Sequence, residues 1–199
     1  MHPNPVFRHD DPALHQALVN QIGFGMIFCQ TPGGPRVAHT PLLLGEDGMV
    51  RFHLSGGNAL AMHLDGSEAL AVLNGPEGYV SPRWYADQGQ VPTWNYVALE
   101  LEGTVQRMDR EGLVALLDAL SAREEARIEG KPWTRDKMNP VKFEKMLGAI
   151  IGFEMDVREW RPTFKLSQNK NEAERARVIE GLEARGAGKL AAMMWSASR

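Results

Sequence analysis

Between residues 24 and 54 three apolar-rich runs are separated by turns too short to hold a helix. Residues 24–30 end at Thr31-Pro32-Gly33-Gly34-Pro35, and residues 36–44 end at Gly45-Glu46-Asp47-Gly48. Parallel strands need a crossover of about a dozen residues or more, so these runs and residues 49–54 can pair only as an antiparallel meander. Three further runs read as strands: residues 68–73, 94–107 and 153–161. The last alternates Phe153, Met155 and Val157 with Glu154, Asp156 and Arg158, the pattern of a half-buried strand. About six strands cannot leave two long edges exposed to other chains, and closure into a small barrel removes those edges.

Helix signals surround the strands. Asp11 before Pro12 opens a first helix, and Asp109 caps a second with Leu113, Leu116, Leu117 and Leu120 on one stripe. Asn139-Pro140 repeats the signal for a helix stopping near Gly152. Asn171 with Glu174 opens one that ends at Gly186, in the manner of a capping box. Residues 59–64 and the apolar residues 189–195 read as short helices, the latter suited to packing on a partner subunit. Residues 74–93, rich in Gly, Pro and aromatics, read as one long loop of functional type, and the long strand after them is expected to carry a bulge or bend. The expectation is therefore an α+β chain, residues 1–199 forming a single domain with a helical C-terminal tail, since 199 residues divided in two leave halves of marginal size.

Composition narrows the function classes. Apolar residues make up 43% and charged residues 24%, ordinary globular usage that argues against disorder. The net charge of −3 supplies no field for phosphates, so general nucleic-acid binding is not expected. Arg175, Arg177, Arg185 and Lys189 are interleaved with Glu174, Glu180 and Glu183 and read as a solvated face. Cys29 stands alone in an apolar run, which suits a buried, inert thiol in a reducing compartment. Met1-His2-Pro3-Asn4-Pro5 has no secretory-leader pattern, and no window is long and apolar enough to cross a bilayer, so a soluble cytoplasmic protein is expected.

The chemistry-bearing segments are polar and aromatic rather than nucleophilic. Ser81 precedes Pro82 and lacks a nucleophile elbow, so no catalytic residue is assigned and enzymatic activity stays open. His39 and His53 sit on neighbouring expected strands, but no third ligand has suitable spacing and no metal site is assigned. Trp84, Tyr85, Trp94 and Tyr96 can stack a planar ligand or build a dimer core. Ser167, Gln168 and Asn169 can bind a ligand or tie a strand end to the next helix. Arg83 and Lys165 read equally as anion ligands or solvated charges.

Three motifs carry a resemblance: Tyr79-Val80-Ser81-Pro82-Arg83-Trp84-Tyr85, Val91-Pro92-Thr93-Trp94-Asn95-Tyr96 and Lys165-Leu166-Ser167-Gln168-Asn169, with His39-Thr40-Pro41 on a strand. With them the chain resembles the PaiB-type family of FMN-binding negative transcriptional regulators, which has the FMN-binding split-barrel fold. The resemblance implies a homodimer with FMN at the subunit interface and a regulatory role. Alternatives are a flavin-dependent oxidoreductase and a dimeric scaffold without cofactor. It implies cofactor contacts from His39, Thr40, Pro41, His53, Ser55, Asn58, Ala59, Arg83, Trp94, Asn95, Lys165 and Gln168. The phosphate is expected at Ser55-Gly56-Gly57-Asn58, where Ser55, Asn58 and free N–H groups at a helix start form an anion cradle. The family has Arg where this chain has Gly56, and His where it has Glu77. Without the guanidinium, FMN is expected to bind weakly or not at all. The dimer expectation also rests on the aromatic loop at 79–94 and the apolar residues 190–195.

Overall fold

The computed structural model describes residues 3–197; Met1 and His2, on which the leader reading partly rests, lie outside the described residues with Ser198 and Arg199. The elements follow in order: α1 (Pro12–Ile22), β1 (Phe24–Thr31), β2 (Gly34–Pro41), β3 (Leu43–Leu44), β4 (Val50–Ser55), β5 (Glu68–Val80), β6 (Thr93–Arg107), α2 (Arg110–Glu125), α3 (Pro140–Leu147), β7 (Ile150–Lys165), α4 (Glu172–Ala184) and α5 (Gly188–Ser196). The fold is α+β. Its sheet has seven strands, not six, in the order β2-β1-β5-β6-β7-β4-β3. The extra strand arises at Leu42, which is fully buried and sends its N–H to the Gly23 carbonyl at 2.9 Å. That turns the expected 36–44 strand into β2 and β3. Contacts divide the chain into two compact units: a barrel unit of Gln16–Leu73 and Leu101–Trp160, and a helical unit of Met1–His15, Asn74–Glu100 and Arg161–Arg199.

In the barrel unit the short turns have the expected effect. β1 and β2 form an antiparallel hairpin from Thr31↔Gly34 to Phe24↔Pro41, and β4 runs antiparallel to β7 from Val50↔Met155 to Ser55↔Ile150. β2 and β4 lie far apart in the sheet order, yet the Thr40 hydroxyl donates to the His53 carbonyl at 2.7 Å. The sheet is therefore curled until these two strands meet. Val50, Phe52 and Leu54 alternate inward along β4. Phe52 stacks on Phe153 with centroids 5.5 Å apart, and both are wholly buried, each contributing about 1.5–3 kcal/mol. Asp109 caps α2 through Gly112 N–H, and α2 buries Leu113, Leu116 and Leu120. Cys29 is buried, and burial pushes its thiol up, as expected of an inert group.

Two further expectations fail in the barrel unit. Residues 59–64 form successive turns, not a helix. Asn58 explains why: its side chain accepts from Leu60 N–H and its carbonyl from Ala61 N–H, a local closure that competes with helix. α3 ends at Leu147, where Gly148 caps it, rather than near Gly152. Gly152 already belongs to β7, where an added Cβ would stand 3.1 Å from Leu113 Cδ1.

In the helical unit the first seven residues of the expected loop at 74–93 are strand, because β5 continues to Val80. Gly75 and Gly78 mark close approaches, not turns: Cβ atoms there would lie 3.0 Å from Val97 Cβ and 2.8 Å from Leu182 Cδ2. β6, whose residues from Leu101 onward belong to the barrel unit, buries Asn95, Val97, Leu99, Leu101, Gly103 and Val105 in unbroken alternation. A one-residue bulge would have reversed that parity, so the expected bulge is absent from this run. α5 does not await a partner to cover it; Leu190, Ala191 and Met194 are buried within the chain, leaving Trp195 exposed. Asn171 caps α4 at Glu174 N–H, but the Glu174 carboxylate accepts from Ala86 N–H at 3.1 Å instead of completing a capping box.

Gly103 offers a sharp test of the barrel. A Cβ there would lie 2.0 Å from the Asp156 carbonyl oxygen, a backbone atom that cannot swing away. Gly103→Ala is expected to destabilise the chain by about 1–3 kcal/mol, read as a lower urea midpoint with an unchanged slope.

Candidate functional site

The turn after β4 is exposed at Ser55, Gly56 and Gly57 and half-buried at Asn58. With no helix beginning there, its N–H groups are not free. Gly56 N–H goes to the Ala149 carbonyl at 2.9 Å, Gly57 N–H to Ser55 Oγ at 3.3 Å and Asn58 N–H to the Ser55 carbonyl at 2.9 Å. The expected cradle of unpaired backbone donors is thus replaced by two neutral side-chain donors, the Ser55 hydroxyl and the Asn58 Nδ2. Two residues before this strand end, His53 is half-buried with its Nδ1 buried and unpartnered. Burial pushes the His53 imidazole below its ordinary pKa, so it is held neutral. His39 lies in the exposed row of the β1–β2 hairpin, opposite Met26.

The helical unit contains a second polar constellation, and all three sequence motifs reach it. A cavity of about 250 Å³ is lined by Tyr85, Thr93, Asn95, Lys165, Ser167 and Lys170, among others. Asn95 occupies an inward position of β6, in phase with Val97 and Leu99, and is 1% exposed. Its Nδ2 donates to Ser167 Oγ at 2.8 Å and to the Met194 sulfur at 3.4 Å. Sulfur only accepts, so the amide orientation is determined, and Asn95 Oδ1 is left buried without a partner. Ser167 has φ 60°, the one non-glycine residue with positive φ among those described. Such a conformation costs on the order of 1–3 kcal/mol and is held only where the surroundings demand it. Burial and the nearby Glu174 charge push the Tyr85 hydroxyl up, against a hydrogen bond from Ser167. Lys165 donates to Thr93 Oγ1 at 2.5 Å, and burial pushes its ammonium down. Lys170 donates to Gln90 Oε1 at 2.8 Å and stands 4.9 Å from the centre of the Tyr85 ring.

The expected site residues therefore divide between the two units. His39, Thr40, Pro41, His53, Ser55, Asn58 and Ala59 belong to the barrel unit, where Thr40 and His53 meet. Arg83, Trp94, Asn95, Lys165 and Gln168 belong to the helical unit, where Asn95 and Lys165 share the cavity. Gln168 is folded onto its own backbone, donating to the Phe164 carbonyl and accepting from Leu166 N–H at 2.7 Å, which is a cap. Trp84 lies against α4, where a Cβ on Gly181 would come within 2.4 Å of its indole, whereas Trp94 is 52% exposed. Residues not assigned beforehand are Thr93 and Lys170; their signal was position inside or beside the motifs.

The family described as "Putative FMN-binding domain" matches residues 1–159. The chain belongs to this FMN-binding family. The match includes the β4 turn and the first two motifs and ends before Lys165. Protease synthase and sporulation protein PAI 2 of Bacillus subtilis is 30% identical over 170 residues, covering 83% of this chain and 81% of that protein. Among solved structures, the FAD and heme binding protein of Mycobacterium smegmatis aligns with TM-score 0.62 at 18% identity, over 84% of this chain and 78% of that one. The flavocytochrome Anf3 of Azotobacter vinelandii aligns with TM-score 0.62 at 18% identity, over 88% and 78%. At that identity the likeness is one of fold, the split-barrel-like fold of the FMN-binding family.

His53 gives the pH prediction. Its folded pKa lies below its unfolded value near 6.5, so between the two the unfolded chain binds more protons. Its contribution to stability is present above pH ~6.5 and is lost as pH falls through the folded pKa. An imidazole carbon resonance titrating below pH ~6.5, and a shallower acid loss of stability in His53→Gln, are the expected results.

Proposed function

We propose that this chain is a weak FMN-binding protein that acts as a homodimer, with the flavin phosphate at Ser55 and Asn58 and the ring along the segment His39-Thr40-Pro41. The observation that carries the reading is the β4 turn of an FMN-binding family member, with uncommitted donors on Ser55 and Asn58 beside the unpartnered His53 Nδ1. These residues fit an anion with an adjoining polar ring, but through neutral groups alone. Bound FMN would supply redox chemistry; the chain's residues would bind and orient it. Arg83 and Trp94 of the helical unit are both exposed. A regulatory role of the PaiB type is the corresponding biological reading, resting on kinship with PAI 2. With 22 basic and 25 acidic residues, regulation through a bound ligand or partner fits better than through general DNA affinity.

The dimer reading has its own support. Phe24, Phe28 and Val37 are 54%, 36% and 43% exposed, and the β1–β2 register sets Phe24 opposite Pro41 and Phe28 opposite Val37. His39 lies in the same row, opposite Met26. An apolar strip holding a candidate flavin residue suits burial by a second copy. Light scattering at micromolar protein should give twice the chain mass, and Phe28→Lys should shift it towards one; a monomeric native chain refutes the dimer.

The phosphate placement is tested at Gly56. Its φ is not positive, and an added Cβ would stand 3.4 Å from the Ala149 carbonyl, so a side chain fits. Gly56→Arg should tighten FMN roughly tenfold or more, with riboflavin unchanged, because only the phosphate gains a charge-assisted contact. FMN binding that ignores this substitution would place the phosphate elsewhere.

A further inference from the structure

The cavity in the helical unit combines two unmet chemical demands. The first is an acceptor: Asn95 Oδ1 is buried, unpartnered and fixed in orientation by the Met194 sulfur on the other side of the amide. An unsatisfied buried carbonyl costs about 1–3 kcal/mol, so a donor arriving there is strongly favoured. The second is positive charge. Lys165 and Lys170 both line the cavity, and their hydrogen-bond partners, Thr93 and Gln90, are neutral. Among the described residues neither lysine takes part in an ion pair. Two half-buried cations with neutral partners favour an anion beside them.

The size of the cavity restricts the occupant. About 250 Å³ lies below the usual range of about 300–1,000 Å³ for drug-sized ligands, so a molecule of a few heavy atoms is indicated. It must bring an anionic group and a nearby hydrogen-bond donor. An ammonium donor would be repelled by the two lysines, whereas a hydroxyl is neutral. The strained Ser167 backbone supports a built site rather than a packing gap, since it carries the hydroxyl that holds Asn95 in place. We propose that this cavity binds a small α-hydroxycarboxylate, its carboxylate held by Lys165 and Lys170 and its hydroxyl donating to Asn95 Oδ1. The site is independent of the flavin reading, because the cavity's lining residues all belong to the helical unit and it can be probed without flavin.

The experiment is a titration of the full chain, followed by the 15N-resolved side-chain amide of Asn95 and backbone amide of Ser167. L-lactate, propionate and inorganic phosphate are the probes. Lactate should give saturable shifts at both residues, and propionate, which lacks the hydroxyl, should bind roughly tenfold or more weakly. Lys165→Met should lose lactate binding while keeping its thermal transition, because Lys165 is half-buried, enters no ion pair among the described residues and Met keeps its apolar stem. Equal binding of lactate and propionate, tighter binding of phosphate, or unmoved Asn95 and Ser167 signals would each overturn the proposal. The comparison of lactate with propionate on the native chain stands even if the variant fails to fold.

Discussion

The parity of β6 is the constraint on which most of the molecule depends. From Asn95 to Val105 every second residue is buried, and a slip of one position would turn five apolar or small residues outward together. The same parity that buries Val97, Leu99 and Leu101 also forces Asn95 inside. A polar side chain at an inward position must find partners, and it finds them on Ser167 and Met194, which lie on the segment after β7 and on α5. The geometry of a whole polar site thus follows from one strand being unable to change register.

The barrel unit solves a different problem with similar means. The strand order ends on the two-residue β3, too short to offer an edge to another chain, and the pairing of β4 with β7 brings together segments distant in sequence. Thr40 contributes a side-chain hydrogen bond to the His53 backbone where β2 and β4 meet. The ring of the same His53 has its Nδ1 buried and unpaired, so the residue that joins the two strands through its backbone also carries an unmet side-chain hydrogen bond. Gly103 shows the cost of that curvature, since β6 passes too close to the Asp156 carbonyl for any side chain.

Features set by local chemistry were legible in the sequence. Asp11, Asp109, Asn139 and Asn171 each accept the N–H that their capping role requires, and the short turns give the β1–β2 hairpin. Features set by tertiary contact were not. Gly75-Pro76 reads locally as a turn, yet it lies in β5 because Val97 leaves no room for a Cβ; β1 pairs with β5 only over residues 69–72, so Pro76 interrupts none of that ladder. Glu174 reads as half of a capping box, but Ala86, far away in the chain, takes its carboxylate. The helix expected at 59–64 lost to the side chain of Asn58. At the candidate site, the motifs pointed to Asn95 and Lys165, while the pairing of Asn95 with Met194 had no sequence signal. An asparagine in phase with Val97, Leu99 and Leu101 was the clue that a parity count would have found.

Met194 also bears on how the molecule is made. α5 follows every strand in chain order, so all seven strands are synthesised before the sulfur that orients Asn95. Until then the Asn95 amide sits at an inward position with one fewer partner, and the groove at Gly78 that receives Leu190 lies open. Domains fold largely as their segments emerge, at about 5–20 residues per second. The contact that orients the Asn95 amide therefore forms only after all seven strands have been made.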